Sequence, residues 1–200
     1  MSSQATDNSE QKDPELMPRI FVAVDLPADH AAALQRLRDA DLPARWVPPE
    51  QYHVTLRFLG DMDEERTRRV MNELESIDLP AFQLGGEGLD VFPSRRRPRV
   101  LVAHVNEEPG LMTLQQQIEE IATGMGFDED RKPFNPHVTF ARLQEAAPRD
   151  VREYMARHSD FKIEAFSAEQ FLLYKSELGS DGADHSVLQR YPLRTSGPVA

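Results

Sequence analysis

Apolar residues along this chain fall into two patterns: short runs that are continuous or alternate with polar residues, and longer stretches where they recur every three or four positions. The first pattern predicts strands and the second amphipathic helices. Residues 20–24 form an apolar run closed by Asp25 and Pro27, which suits a buried strand. A helix is expected over 28–40, where Ala33, Leu34 and Leu37 make an apolar stripe and Pro43 lies just past the end. After Gly60, either Asp61 or Asp63 can cap a second helix running to Ser76, with Val70, Leu74 and Ile77 on its buried side. Residues 81–84 and 89–92 read as strand pieces interrupted by Gly85, Gly86 and Gly88, so a bulge or turn is expected between them. Residues 99–105 make the clearest central strand, and Leu114, Ile118, Ile121 and Met125 share one face of a helix that stops at Gly124 or Gly126. Pro148 opens a last helix with Val151, Tyr154, Met155 and His158 on one side. Strands over 161–166, 171–176 and 186–193 complete the pattern, with a polar turn over 179–182.

Two of the strands carry nearly the same word, HVTL starting at His53 and HVTF starting at His137. The match extends outward: Pro49 and Pro133 stand four residues before the histidines, and Leu59 and Leu143 stand six after. Strand and helix alternate in each half of the chain and each half delivers one word, so a two-lobed α+β domain with one word per lobe is the economical arrangement. Successive side chains on a strand point to opposite faces. His53 and Thr55 therefore share one face, as do His137 and Thr139, while Val54, Leu56, Val138 and Phe140 root the strands on the other. Strict alternation also brings Arg57 to the face of His53 and Thr55.

Composition narrows the setting. At 200 residues, with 40% hydrophobic and 28% charged residues, the chain suits one well-cored domain, expected over 18–194. Residues 1–17 read as a polar, disordered lead-in without the basic start or apolar centre of a signal peptide, and 195–200 read as a flexible tail. No apolar run approaches the roughly 18–20 residues of a membrane span. There is no cysteine, so disulfides, thiolate zinc sites, iron–sulfur clusters and a cysteine nucleophile are excluded, and a cytoplasmic monomer is expected. The net charge of −11 argues against a broad polyanion-gripping surface but leaves room for a small anion pocket. Arg95, Arg96, Arg97 and Arg99, like Arg131 and Lys132, read as solvated loop charge, and His30, His104, His158 and His185 as surface or packed histidines.

The paired words carry the chemistry. Imidazole changes charge near neutral pH, so one copy can remove a proton while the other supplies one. Threonine hydroxyls donate to phosphate oxygens. Two histidines and two threonines facing one cleft are sufficient to hold a phosphodiester and cleave it with water. A metal reading is weaker, because neither word holds two ligands and no cysteine completes a set. Serine-hydrolase and P-loop readings fail for want of their motifs.

The words and their flanks resemble the two-histidine phosphoesterases, specifically the RNA 2′,3′-cyclic phosphodiesterases also called 2′-5′ RNA ligases. The resemblance spans 18–193 through FVAVDLP from Phe21, WVPPEQYHVTLRFLGD from Trp46, GLDVFPSRRRPRVLVAHV from Gly88, FNPHVTFAR from Phe134 and FLLYKSELG from Phe171. It implies a bilobal fold of two antiparallel sheets facing a central cleft, with helices outside. It implies that His53 is the proton donor to the leaving oxygen and His137 the acceptor from water, with no metal or cofactor. The implied reaction opens a terminal 2′,3′-cyclic phosphate of RNA to a 2′-phosphate; in reverse, a 5′-hydroxyl attacks the cyclic phosphate and forms a 2′-5′ linkage without ATP. Arg142, five residues after the second histidine, is implied to contact substrate phosphate. Strand alternation puts it on the face opposite His137, so either the strand ends or bulges after Phe140 or Arg142 is a surface residue. Alternatives of a different kind are a nucleotide or RNA-end binding module without turnover, and the same chemistry on a small nucleotide such as a cyclic phosphate of ADP-ribose.

Overall fold

In the computed structural model, which describes residues 17–179 and 182–195, the first apolar run forms β1 (Arg19–Asp25) and leads into α1 (Ala28–Gln35). A short strand β2 (Ala44–Trp46) and a single 3-10 turn (Pro49–Gln51) precede β3 (His53–Asp61), the strand of the first word. There follow α2 (Glu64–Leu74), β4 (Phe82–Glu87), β5 (Leu89–Ser94), β6 (Arg97–His104), α3 (Pro109–Gly124) and β7 (His137–Leu143), the strand of the second word. The chain finishes with α4 (Pro148–Arg157), β8 (Lys162–Ala168), β9 (Gln170–Gly179) and β10 (Gly182–Pro192). The expected lead-in over 1–17 and tail over 195–200 fall almost wholly outside the described residues. So do residues 180 and 181 of the expected turn, although β9 and β10 pair as far as Gly179 opposite Gly182.

Local chemistry sets several boundaries. Asp63, not Asp61, caps α2, its carboxylate accepting the Arg66 N–H at 2.7 Å. The first helix ends at Gln35, earlier than its apolar stripe suggests, and Leu37 is still buried beyond it. Ending early frees the Leu37 carbonyl, which accepts the phenol of the buried Tyr154 on α4 at 2.8 Å. A buried hydroxyl without that partner would cost about 1–3 kcal/mol. The expected interruption near Gly85 appears as a shift in the β4–β8 register between Leu84 and Gly86. β2, only three residues long, is not distinguishable from a loop in the sequence pattern.

β4 and β8 form a ribbon of their own, and the other strands form one antiparallel sheet in the order β10-β9-β1-β3-β7-β6-β5, with β2 also paired to β7. The sheet is two four-stranded halves, β10-β9-β1-β3 and β7-β6-β5 with β2, each carrying one word on its inner strand. They touch through one register pair, Val54 opposite Val138. Two sheets are thus joined at a single point rather than wholly separate. The lobes are also not the two halves of the sequence, as the alternation of elements suggested. β9 and β10 return to cover the edge of β1, which would otherwise present an unpaired row of backbone groups. One helix crosses between lobes as well: α3, which links β6 to β7, packs against β3 of the other lobe, whereas α4, which follows β7, packs against β6 of the same lobe. One apolar core, from Val22 and Leu34 through Val54, Leu114 and Val138 to Tyr154, runs continuously beneath both lobes. Among the described residues no helix is long and apolar enough to cross a membrane.

Candidate active site

Each histidine opens its strand just after a proline-containing segment, a 3-10 turn over Pro49–Gln51 for His53 and an irregular connection with Pro133 and Pro136 for His137, and a carbonyl of that segment seats the ring. His53 Nδ1 lies 2.8 Å from the Gln51 carbonyl, and His137 Nδ1 lies 2.7 Å from the Asn135 carbonyl. A carbonyl only accepts, so Nδ1 carries the proton in both rings and Nε2 is the nitrogen left for chemistry. Extending the Val54–Val138 pair by one residue each way sets His53 opposite Thr139 and Thr55 opposite His137.

Strand irregularities decide what comes next. In the β3–β1 register Arg57 pairs with Val22 and Thr55 with Ala23, so Leu56 is skipped; in the β7–β6 register Ala141 pairs with Leu101 and Thr139 with Val102, so Phe140 is skipped. Both bulges fall three residues after a word's histidine, and the two strands have the same burial sequence over six residues. A bulge moves the following residues to the opposite face. Arg142 is thereby carried to the face of His137 and Thr139, which resolves its conflict with strict alternation. Arg57 is carried the other way. It does not face the cleft: its side chain is 9% exposed, with Nε 2.8 Å from Glu119 on α3, Nη1 3.7 Å from Asp130, and Nη2 donating to the Asp128 carbonyl. The position matching Arg142 in the first lobe belongs to Phe58, whose side chain is 65% exposed.

A cavity of about 740 Å³ opens beside this constellation, lined by His53, Thr55, Thr139, Arg142 and Phe58, with Arg45 and Trp46 from β2 and His185 from β10. His137 is not among its lining residues; Phe92 meets its ring edge-on at 4.9 Å. Phe58, Arg45 and His185 are residues that the sequence pattern did not single out for this site. For Phe58 a signal existed, since it holds the same offset from His53 that Arg142 holds from His137. For His185 none did, because its place depends on how β10 docks on β9.

The two rings have different surroundings. His53 lies among Phe21 (ring centroids 5.0 Å), Tyr174 (5.9 Å) and His185 (5.7 Å). Burial there, reinforced by His185 and by the other catalytic-candidate ring of His137, pushes its pKa down from 6.5 to about 4, although the Gln51 carbonyl opposes the shift. His137 is also lowered, first by burial, with the Asn135 carbonyl opposing and His104 adding to the shift. His104 sits directly across β6 from it and approaches Asp90 at 3.7 Å. Among the described residues no group of three or more His, Asp or Glu side chains is placed to hold a metal ion.

The chain is similar to known proteins. The family model described as LigT like Phosphoesterase matches the chain twice, over 22–102 and 104–183, one match for each word. The chain is 35% identical over 191 residues to an RNA 2′,3′-cyclic phosphodiesterase of Thermus thermophilus, covering 88% of this chain and 90% of that protein. It is 31% identical over 172 residues to one of Aeropyrum pernix, covering 83% and 98%. Among solved structures, TT0787 of Thermus thermophilus superposes with a TM-score of 0.76 at 28% identity, covering 90% of this chain and all of that one. LigT of E. coli complexed with 3′-AMP has the same fold, with a TM-score of 0.73 at 24% identity over 88% of this chain and 98% of that one.

Proposed function

The chain belongs to the LigT-like phosphoesterase family, and from that premise we propose that it is an RNA 2′,3′-cyclic phosphodiesterase, a hydrolase that opens the terminal cyclic phosphate of an RNA strand to a 2′-phosphomonoester. The observation that carries the reading is the matched pair of Nδ1–carbonyl bonds, which leaves two Nε2 atoms free at the junction of the lobes. The cyclic phosphate lies between them, its non-bridging oxygens held by the Thr55 and Thr139 hydroxyls and by the Arg142 guanidinium, which suits bidentate phosphate contact.

His137 Nε2 takes a proton from water as the water oxygen bonds to phosphorus. The bond from phosphorus to O3′ breaks, and O3′ leaves with the proton of His53 Nε2. The products are a 2′-phosphomonoester and a free 3′-hydroxyl, with His53 neutral and His137 charged until solvent resets them. Because burial keeps His53 neutral in the free protein, its proton arrives with the anionic substrate, whose charge favours imidazolium. Run in reverse, the same transfers let a 5′-hydroxyl take the place of water and form a 2′-5′ linkage. An RNA-end enzyme whose chain has no cysteine fits the cytoplasm.

The test is to incubate the protein with an RNA ending in 2′,3′-cyclic phosphate and identify the product. A 2′-phosphate is expected, with His53→Ala and His137→Ala each lowering turnover by roughly 10²- to 10⁴-fold and EDTA leaving the rate unchanged. Near-full hydrolysis in both variants, or a rate lost to EDTA and restored by zinc, refutes the proposal.

A further inference from the structure

A third histidine stands in the cleft with no part in the scheme above. His185, on β10, lies across from Ser176 of β9, and both line the cavity. Its ring meets His53 edge-on with centroids 5.7 Å apart and Phe21 edge-on at 5.1 Å, so two contacts fix its place beside the proton donor. The charge of Arg142 also bears on it. Near both the ring assigned to the leaving oxygen and the guanidinium assigned to the phosphate, His185 borders the space where the phosphate sits. Packing alone does not account for an imidazole at this place. After burial itself, His185 is the largest influence holding the pKa of His53 down, and His53 is the ring that must be charged for the reaction. An idle imidazole here would only hinder the donor.

Burial lowers the pKa of His185, with the Asp184 carboxylate opposing and Arg142 adding to the shift, so the free ring is neutral at pH 7 and carries one N–H. Nδ1 is shielded from solvent, and although the backbone of Asp184 approaches the ring, Nδ1 makes no hydrogen bond of normal geometry. A proton on Nδ1 would be buried without a sound acceptor, which leaves it on Nε2, the nitrogen that remains for the cavity. We propose that His185 is a further catalytic residue, its Nε2–H donating to a non-bridging oxygen of the phosphate. The assignment rests on the function proposed above and adds a donor to it. Negative charge on that oxygen grows as the water oxygen bonds to phosphorus and before O3′ departs, so a fixed donor there favours the transition state over the bound substrate. His185 keeps its Nε2 proton throughout; the acid and the base remain His53 and His137.

The experiment measures kcat and KM for a mononucleoside 2′,3′-cyclic phosphate at pH 8 in the natural protein, His185→Ala and His185→Gln, with urea unfolding of each as the check on its fold. His185→Ala is expected to lower kcat by roughly 10- to 100-fold, the range of a hydrogen bond to a charged group, with KM changed by less than about threefold, the pattern of a contact made in the transition state. His185→Gln, whose amide can set an N–H near the place of Nε2, retains a clear part of the lost rate. The sign of the change separates this role from an indirect one. Acting only through His53, His185 holds that ring neutral, so its removal would leave more His53 charged and raise kcat/KM. A raised or unchanged rate in His185→Ala overturns the assignment while leaving the hydrolase reading intact. Equal losses in His185→Ala and His185→Gln overturn it as well, since a packing residue loses rate without regard to the donor. A natural protein that hydrolyses no cyclic phosphate sinks the functional reading itself, and this inference with it.

Discussion

Replacing Arg57 by Met should destabilise the protein without disabling it. The guanidinium is 9% exposed and its main partner Glu119 is 20% exposed, so the substitution strands a largely buried carboxylate. Breaking a buried ion pair from one side costs about 3–5 kcal/mol. Two features place this case near the lower end: Glu119 keeps the Asp130 N–H as a donor at 3.0 Å, and the second partner, Asp130, is half exposed and can be hydrated. A loss of about 3 kcal/mol is a large share of the 5–15 kcal/mol typical of a domain. It corresponds to roughly 6–12 °C in Tm for a chain of this size. Urea unfolding at 25 °C with linear extrapolation measures the loss, and Arg57→Met combined with Glu119→Leu should recover much of it by removing both charges. Well below the new Tm, kcat/KM should stay within about threefold, because the side chain points away from the cleft. If Arg57→Met unfolds at the wild-type urea midpoint yet loses a hundredfold in kcat/KM, the bulge argument is wrong and Arg57 serves the substrate.

Two further outcomes follow from the site. His53 and His137 both have pKa values below the usual 6.5 for the same first reason, burial, and catalysis needs one charged and one neutral ring. The fraction of free enzyme with His53 charged falls tenfold per pH unit above about 4, while His137, its pKa lowered by burial, is mostly neutral above its ordinary value of about 6.5. Log kcat/KM should therefore approach a slope near −1 above about pH 7.5; a level profile from there upward refutes the assignment of His53 as the charged partner. Phe58 offers an exposed ring to the substrate's terminal base, and such stacking is worth about 1–3 kcal/mol, so Phe58→Ala should lower kcat/KM by roughly 5- to 150-fold while Phe58→Tyr retains most of it. Equal rates for Phe58→Ala and the natural protein would remove the base from that ring.

Much of the site is legible in the sequence because it is local. The word HVT fixes which face the imidazole and hydroxyl share, and the prolines ahead of each word mark the segment whose carbonyl seats the ring. What escapes is set by pairing between distant strands. Alternation is right for Thr55 and Thr139 and fails after Leu56 and Phe140, because a bulge is a property of two strands in register and leaves no mark in one of them. Arg57 and Arg142 exchange their expected faces for that reason. β9 and β10 read correctly as strands, yet their return to β1 is a long-range pairing with no local signal, and with it came His185 beside His53. The early end of α1 has its cause at Tyr154, far along the chain.

The matched bulges have a chemical consequence of their own. A frame that repeats one histidine–threonine strand in each of two lobes, joined at Val54 and Val138, offers a substrate two orientations related by half a rotation. In one orientation O3′ leaves toward the donor; in the other, O2′ does. The choice falls to the residues five places after the histidines, a hydrocarbon ring at Phe58 and a cation at Arg142. A strand entering backwards would set its base against the guanidinium and its phosphate against the ring. Under the proposed reaction, the contrast between Phe58 and Arg142 gives the two orientations unequal energies and so favours one regiochemistry of ring opening.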